Sequence, residues 1–332
     1  MIKKLLTTAA MTAMMAVSAF AADDKPAIVF DIGGKFDKSF NESMYNGSEK
    51  FKAESGIAYG EFEIANEAQR EQAIRNFADQ GYSPIIAAGF AQAAAVEKVA
   101  KEYPDLKFAI VDMVVDLPNV QSIVFKEQEG SYLVGMMAGM ASKSGKVGFV
   151  GGMDIPLIHK FACGYVQGVK AAKADATVFQ NMVGDTGAAW NDPVKAGEIT
   201  KGQMSKGADV VYAAAGGSGL GVLQAAADGG GLAIGVDANQ NYLHPGKVLT
   251  SMMKRVDVAV YNAMKSGKEG TFKPGIQALG LAEEGVGYAM DDNNKPLVTA
   301  EMAAAVEKAK ADIISGAVKV HDYTEDNKCP VE

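Results

Sequence analysis

From Pro26 onward, short β-branched runs alternate with longer amphipathic segments. The first runs contain few polar residues, which is typical of strands buried on both faces of a sheet. The predicted strands of this first round are residues 27–31, 83–88, 108–112 and 122–125, and the predicted helices are residues 39–53, 67–79 and 91–101. Strands separated by helices predict a parallel sheet with right-handed crossovers.

The same order of elements begins again at residue 146. The predicted strands of this second round are residues 146–150, 177–183, 209–213 and 232–236, with helices near 158–172 and 193–205 and from Leu220. Two rounds predict an α/β protein with two doubly wound parallel-sheet lobes, in a chain about twice as long as a common domain. Ligands bind beyond the carboxyl ends of such strands, so we expect the residues that contact a ligand to stand at those ends.

Residues 248–281 follow a strand, helix, strand pattern, and we expect this part of the chain to cross back between the lobes. Each lobe is then built from separate pieces of chain. We assign residues 22–138 and 253–272 to the N-terminal lobe, and residues 139–252 and 273–332 to the C-terminal lobe.

The first 21 residues have the parts of a secretory signal peptide: Lys3 and Lys4, an apolar run over residues 5–20, and the small residues Ala19 and Ala21. The run is shorter than the ~20 apolar residues that span a bilayer. We expect residues 1–21 to be removed and the mature protein to lie in the periplasm. No cysteine stands near the expected cleavage site, so we expect no lipid and no direct membrane anchor.

Acidic residues outnumber basic ones by 40 to 32, which gives a formal net charge of −8 at pH 7. A chain of this charge, without a basic run, has no electrostatic basis for holding nucleic acid, and we expect no nucleic-acid partner. The two cysteines, Cys163 and Cys329, either form one disulfide, as an exported protein allows, or stand as two separate thiols. The sequence leaves both alternatives open.

Three predicted strands end directly in aspartate, at Asp31, Asp112 and Asp237. One such residue is well explained as the N-cap of the following helix. Three of them, shared between the two halves of the chain, are better explained by a common ligand. Ionised carboxylates only accept hydrogen bonds, so the pattern favours a ligand rich in hydroxyl or N–H groups, such as a sugar, a nucleoside or an amine, and argues against an anion.

Glycines follow other strands, at Gly89, at residues 151–152, and at Gly216 and Gly217. Glycine lets the backbone approach a ligand closely, and the helix after Gly217 offers N–H groups at its start. The GGSGLG sequence from Gly216 fits neither a nucleotide-binding fingerprint nor a nucleophile elbow. It predicts a tight strand-to-helix turn.

Phe36 and Phe40 follow the first strand, and Trp190, the sole tryptophan, lies in a polar loop of the second half. A ring from each half, near the strand-end carboxylates, would sandwich a flat heterocycle. The alternative is that Trp190 is a packing anchor of its loop. The three histidines are far apart in the sequence and show no paired ligand spacing, so we expect no metal. We likewise expect no catalytic residues and no cofactor.

At these residues the chain resembles the BMP (basic membrane protein) family of ABC-transporter substrate-binding proteins, which includes purine-nucleoside receptors. The segments that carry the resemblance are DIGGKFDKSFNESMYNG from Asp31, FAIVD ending at Asp112, FACGYVQG from Phe161, the stretch from Trp190 to Asp192, IGVDANQ around Asp237 and LTSMMKRVD from Leu249. They follow one another in order along nearly the whole expected mature chain. The resemblance implies the type I periplasmic binding protein fold, with the ligand in the cleft between the lobes.

Matched residue by residue, the family's ligand contacts fall on Asp31, Phe40, Asn41, Asp112, Trp190, Gly216 or Gly217, Asp237 and Lys254. The two rings match those that hold the base, whereas Asp237 and Lys254 match residues near the ribose. Members commonly carry two successive acids where this chain has Phe36-Asp37, so we add Phe36 as a further ring near the site. Many members also carry a lipidation cysteine that is absent here.

We therefore predict a monomeric substrate-binding protein, not an enzyme, that captures a purine nucleoside and delivers it to the permease subunits of an ABC transporter. A different flat or hydroxyl-rich solute (riboflavin, a free base or a sugar) is the first alternative. The second is an exported nucleoside hydrolase, although hydrolysis requires a general acid or base, or a metal, and the chain offers only scattered carboxylates. A receptor that hands its ligand to a membrane sensor is the third.

Overall fold

The computed structural model describes residues 25–331, which form two six-stranded sheets, one in each of two lobes. The first round of elements is β1 (Ala27–Phe30), α1 (Phe40–Ser55), β2 (Gly60–Glu63), α2 (Gln69–Asp79), β3 (Ile85–Ala87), α3 (Ala93–Glu102), β4 (Phe108–Val111) and β5 (Val120–Phe125). The second round is α4 (Glu127–Ala141), β6 (Lys146–Met153), α5 (Pro156–Ala172), β7 (Thr177–Gly184), α6 (Pro193–Ser205), β8 (Val210–Ala214), α7 (Gly219–Asp228), β9 (Leu232–Asp237) and β10 (Val248–Lys254). The chain continues through α8 (Val256–Lys268), β11 (Gly275–Leu279), β12 (Val286–Tyr288) and α9 (Ala300–Ile314). The predicted signal peptide, residues 1–21, lies outside the described residues.

The strand order is β11-β5-β4-β3-β1-β2 in the first sheet and β12-β10-β9-β8-β6-β7 in the second. The pairs of the first sheet are parallel, whereas β12, at the edge of the second sheet, runs antiparallel to β10. The prediction of two doubly wound α/β lobes is confirmed. Within each sheet, parallel pairing brings the carboxyl ends of neighbouring strands to the same edge.

The central strands form because their residues are apolar on both faces. Every residue of β1, β4 and β8 is buried, which leaves no polar face for solvent. Helix α6 carries ordinary start signals: it begins at Pro193, and the Asp192 carboxylate accepts a hydrogen bond of 2.9 Å from the Lys195 N–H. Among residues 25–331, no helix combines the length and the apolar character that crossing a membrane requires.

Helix α4 packs closely on α5, and both helices belong to the second round of the chain. A side chain at Gly135 would place its Cβ 2.3 Å from the Tyr165 carbonyl oxygen, and one at Gly168 would place it 2.0 Å from the Tyr132 carbonyl oxygen. Only glycine leaves room for backbones at this distance. The helix that the sequence pattern missed, α4, is therefore a buried helix whose contacts with α5 depend on residues without side chains.

The strand pairing and helix packing differ from the expected lobe division in two places. Helix α4 packs on α5 and on the second sheet, where Gly130 lies against Met252 and Val286, so the chain changes lobe near residue 126 and not at 138. Strand β11 pairs with β5 of the first sheet, so residues 275–279 do not belong to the C-terminal lobe. Pairing across such sequence distances leaves no trace in local periodicity, which is why the expected boundaries were wrong there.

Cys163 and Cys329 form a disulfide, with their Cα atoms 5.5 Å apart. The bond joins positions 166 apart in the sequence and ties the end of the described chain to α5. It decides between the two alternatives that the sequence left open.

Candidate ligand-binding site

A cavity of about 70 Å³ lies between the lobes, where strands of both sheets end. Eight of the ten predicted site residues line it, and these are Asp31, Phe40, Asn41, Asp112, Trp190, Gly216, Asp237 and Lys254. They come from both lobes, since β1 and β4 end at the cavity in the first sheet and β8, β9 and β10 end there in the second. The predicted strand-end aspartates of both halves of the chain therefore line one cavity.

The lobes are closed over this cavity, because groups from opposite lobes are bonded across it. The Ser39 hydroxyl donates a hydrogen bond to the Asp237 carboxylate. The Gln240 side-chain amide donates one of 3.0 Å to the Lys38 carbonyl oxygen. Ser39 and Lys38 precede α1 in the N-terminal lobe, whereas Asp237 and Gln240 follow β9 in the C-terminal lobe. These bonds form only when the two lobes approach each other.

The Trp190 indole packs closely against a glycine backbone. A Cβ added to Gly152 would lie 2.3 Å from Cζ3 of the indole and 2.5 Å from Cε3, so glycine there makes room for the ring. From the N-terminal lobe, Gly33 approaches the Trp190 Cβ, with 3.5 Å between that atom and a Cβ added to the glycine. The indole is half-buried and lines the cavity, so it both packs and faces the space between the lobes.

Asp31 and Asn41 are linked by hydrogen bonds between the Asp31 backbone and the Asn41 side chain. The Asn41 side-chain oxygen accepts a bond of 3.2 Å from the Asp31 N–H, which ties the end of β1 to the first turn of α1. The Asp31 carboxylate accepts a bond of 2.8 Å from the Ile32 N–H and lies 3.3 Å from the Arg70 guanidinium. Burial nevertheless raises the pKa of Asp31, against the lowering effects of these two partners.

Asp112 and Asp237 share a rare backbone conformation. Their φ angles are +69° and +65°, in the left-handed region that is uncommon for residues other than glycine. Such conformations persist where the surrounding structure enforces them, most often at functional sites. Burial raises the pKa of both carboxyls to about 6, although the Lys254 ammonium opposes the rise in each case.

Lys254 is the buried cation of the cavity. Its ammonium lies 2.7 Å from Asp112 of the N-terminal lobe and 3.0 Å from Glu127 at the start of α4. Burial alone would lower the pKa of Lys254, but Asp112, Glu127 and Asp237 together raise it, so the side chain stays charged. Three aromatic rings surround the same ammonium, with centroids at 5.1–5.4 Å, and belong to Phe40, Phe125 and Phe161.

Two predicted site residues do not line the cavity. Phe36 is 59% exposed and packs edge-on against Tyr45, with 5.3 Å between the ring centroids. The inward position belongs to its neighbour Asp37, whose carboxylate accepts hydrogen bonds from the N–H groups of residues 39, 41 and 42 and so caps α1. Gly217 is buried beneath the Trp190 carbonyl oxygen and does not reach the cavity.

Sequence reasoning missed the apolar wall of the cavity. Leu157, Ile158 and Phe161 come from the first turns of α5, and Phe90 follows the strand-end Gly89. The position of Phe90 directly after a strand could have identified it, whereas the three α5 residues look like any buried helix face. Within residues 25–331, no group of three or more histidine, cysteine, aspartate or glutamate side chains is placed to hold a metal ion.

A family model described as "ABC transporter substrate-binding protein PnrA-like" matches residues 25–323. The chain is 35% identical over 321 residues to the ABC transporter nucleoside-binding protein BmpA of Lactococcus lactis, covering 90% of this chain and 89% of the relative. It is 36% identical over 305 residues to an uncharacterised lipoprotein of Pyrococcus abyssi, covering 86% and 73% of the two chains.

Among solved structures, the chain is similar to an ABC transporter solute-binding protein of Aeropyrum pernix, with a TM-score of 0.82 and 29% identity over 89% of this chain and 92% of the other. That likeness confirms the expected periplasmic binding protein fold. Together with the family match, it shows that the chain belongs to the Bmp family of PnrA-like ABC-transporter substrate-binding proteins.

Proposed function

We propose that this protein captures a purine nucleoside between its two lobes and delivers it to the permease subunits of an ABC transporter. The observation that carries the proposal is the composition of one closed cavity, which holds aromatic side chains from opposite lobes beside buried carboxylates and an ammonium group. Phe40 comes from the N-terminal lobe and Trp190 from the C-terminal lobe. A relative named as a nucleoside-binding protein supports the same conclusion.

The chemistry of the cavity suits the two halves of a nucleoside. Aromatic faces favour a flat base, because stacking buries large apolar areas on both sides of it. Asp112 and Asp31 accept hydrogen bonds from N–H groups on the base edge, while Asp237 accepts from ribose hydroxyls. Lys254 supplies donors for the ribose oxygens. A free sugar would leave the rings uncovered, and a free base would give Asp237 no ribose hydroxyl beside its bond from Ser39.

The same groups favour binding over hydrolysis. The Asp112 carboxylate is held by Lys254 and the Asp237 carboxylate by Ser39, so each is engaged in a fixed contact and not placed to activate water. We therefore expect no catalysis. Inosine incubated with the protein should stay intact, and release of hypoxanthine above the buffer rate would instead identify a hydrolase.

We further propose that the mature protein is a monomer in the periplasm, released by removal of residues 1–21 and without a lipid. Osmotic-shock fractionation with size-exclusion chromatography tests this. Recovery in the soluble periplasmic fraction at monomer size is expected. Recovery with the membranes would point to an anchor of the kind implied by the name of the lipoprotein relative.

Mass spectrometry of small molecules released by denaturing the freshly purified protein tests the ligand directly. A purine nucleoside, in an amount approaching one per chain, is the expected result. In a thermal screen, adenosine, guanosine or inosine at 100 times its dissociation constant should add ~2.7 kcal/mol to the free energy of unfolding. Stabilisation by riboflavin, a free base or a sugar, with none by nucleosides, would contradict the proposal.

A further inference from the structure

A line of five ionisable side chains leads from the cavity to the C-terminal segment, with charges that alternate in sign: Asp112, Lys254, Glu127, Lys160 and Asp322. One Glu127 oxygen lies 3.0 Å from the Lys254 ammonium. The other lies 3.0 Å from the Lys160 ammonium, which in turn lies 3.2 Å from Asp322. Asp112 and Lys254 line the cavity, whereas the three remaining members lie behind it.

The buried charge of Glu127 is balanced by the ammonium groups of Lys254 and Lys160. Its side chain is 1% exposed, and within residues 25–331 neither carboxylate oxygen accepts a hydrogen bond of good geometry. Burial opposes its ionisation, yet Lys254 and Lys160 outweigh burial and hold the pKa of Glu127 below its usual range. Breaking such a pair leaves an uncompensated buried charge. Without Lys160, the counter-ion that Glu127 keeps in the described chain is the cavity residue Lys254.

The C-terminal segment, residues 321–329, contacts Lys160, whose ammonium also donates a hydrogen bond of 2.7 Å to the Phe125 carbonyl oxygen. Its Asp322 contacts the Lys160 ammonium, and its first residue exchanges two hydrogen bonds, of 2.9 and 3.0 Å, with a glutamine of α5. The segment ends at Cys329, whose disulfide to Cys163 fixes it to the same helix that carries Lys160. A covalent link on α5 therefore restrains the contact between the segment and Lys160.

We propose that Lys160, held by the disulfide-tethered C-terminal segment, is a positioning residue that keeps the Lys254 ammonium available to the ligand. The inference rests on the proposed nucleoside function. Because Lys160 neutralises one side of Glu127, Lys254 is not drawn away from Asp112 and the cavity. The C-terminal segment thereby contributes to ligand affinity from outside the cavity.

Calorimetric titration with adenosine tests the role of Lys160. Lys160→Met should weaken binding about tenfold, since members of one charge network are coupled. Two other variants should bind adenosine more tightly than Lys160→Met and nearly as well as the wild type. One is Lys160→Arg, which keeps the positive charge. The other is the double variant Glu127→Gln/Lys160→Met, which removes the unpaired carboxylate. Lys170→Met, on the same helix, is the matched control and should bind as wild type. Wild-type affinity in Lys160→Met, or a double variant as weak as Lys160→Met, would overturn the proposal.

Reduction of the disulfide tests the role of the segment. Dithiothreitol should weaken adenosine binding about threefold in the wild type, by loosening a member of the same network. The Cys163→Ala/Cys329→Ala variant should bind at the weakened level with or without reductant. Unchanged adenosine affinity after reduction would show that the C-terminal segment does not contribute to ligand binding.

Failure of the proposed function is distinguishable from failure of this inference, because the wild-type protein would then bind none of the nucleosides. The positioning role is then judged on ligand-free protein, by following the Glu127 carboxyl carbon in a ¹³C NMR titration. A higher pKa of Glu127 in Lys160→Met than in the wild type supports the proposal. An unchanged pKa overturns it.

Discussion

Replacing Gly152 by alanine should move the Trp190 indole without touching any polar group of the cavity. The added methyl would lie 2.3 Å from Cζ3 of the ring, whereas an ordinary carbon–carbon contact is about 3.5 Å. The ring must therefore shift by about 1 Å, and Trp190 borders the cavity. Gly152 does not have a left-handed backbone, so alanine fits the local chain conformation.

The expected cost falls on ligand binding. By analogy with base–aromatic stacking in nucleic-acid proteins, loss of a good stack costs roughly 1–3 kcal/mol, which is about a 5- to 150-fold increase in the dissociation constant. Calorimetry with adenosine measures it, and the fluorescence of Trp190, the sole tryptophan, reports the ring's environment in the same samples. Gly287→Ala is the matched control, because a Cβ there meets nothing within 4 Å.

Wild-type adenosine affinity in Gly152→Ala, together with an altered tryptophan spectrum, would show that the indole moves without affecting the ligand. Trp190 would then be a packing anchor of its loop, and its removal would act on stability. In that case Trp190→Ala should lower the free energy of unfolding by ~3 kcal/mol or more through a cavity, and leave binding by the folded fraction intact.

Two further variations test the carboxylates and the corrected position of Phe36. Burial raises the pKa of Asp112 and of Asp237 to about 6. Because a ligand that donates hydrogen bonds binds the ionised carboxylates, the affinity for adenosine should be full above pH 7 and should be lost as the pH falls through 6. Each carboxyl that protonates should cost about tenfold at one unit below its pKa, and a flat calorimetric profile from pH 7.5 to 5 would contradict this. Phe36→Ala should bind adenosine as wild type because its ring lies outside the cavity, whereas a tenfold loss in the same titration would return Phe36 to the site.

The strand ends of the site could be predicted because two simple rules act together. Buried parallel strands are recognisable from runs with little polar content, and parallel pairing brings their carboxyl ends to one edge. Asp31, Asp112 and Asp237 accordingly meet in one cavity although the chain separates them widely. No rule at this level says which ring of the Phe36–Phe40 stretch turns inward. That depends on Asp37, whose three hydrogen bonds from backbone N–H groups set the start of α1.

Other features were beyond prediction because they arise from packing between distant segments. Helix α4 is buried over most of its surface, so it lacks the polar face from which a helix is recognised. Its first residue, Glu127, meets Lys160 and Lys254 only after both lobes are assembled. The placement of β11 beside β5 likewise joins segments about 150 residues apart, and local periodicity does not encode such pairing.

The most direct measurement of the central claim is a calorimetric titration of ligand-free protein with adenosine and, separately, with ribose. Rings from both lobes and the strand-end carboxylates lie in one cavity, so adenosine should bind at one site per chain and far more tightly than ribose. Equal affinity for adenosine and ribose would show that the base is not held between Phe40 and Trp190. Absence of heat with adenosine, guanosine and inosine alike would contradict nucleoside capture itself.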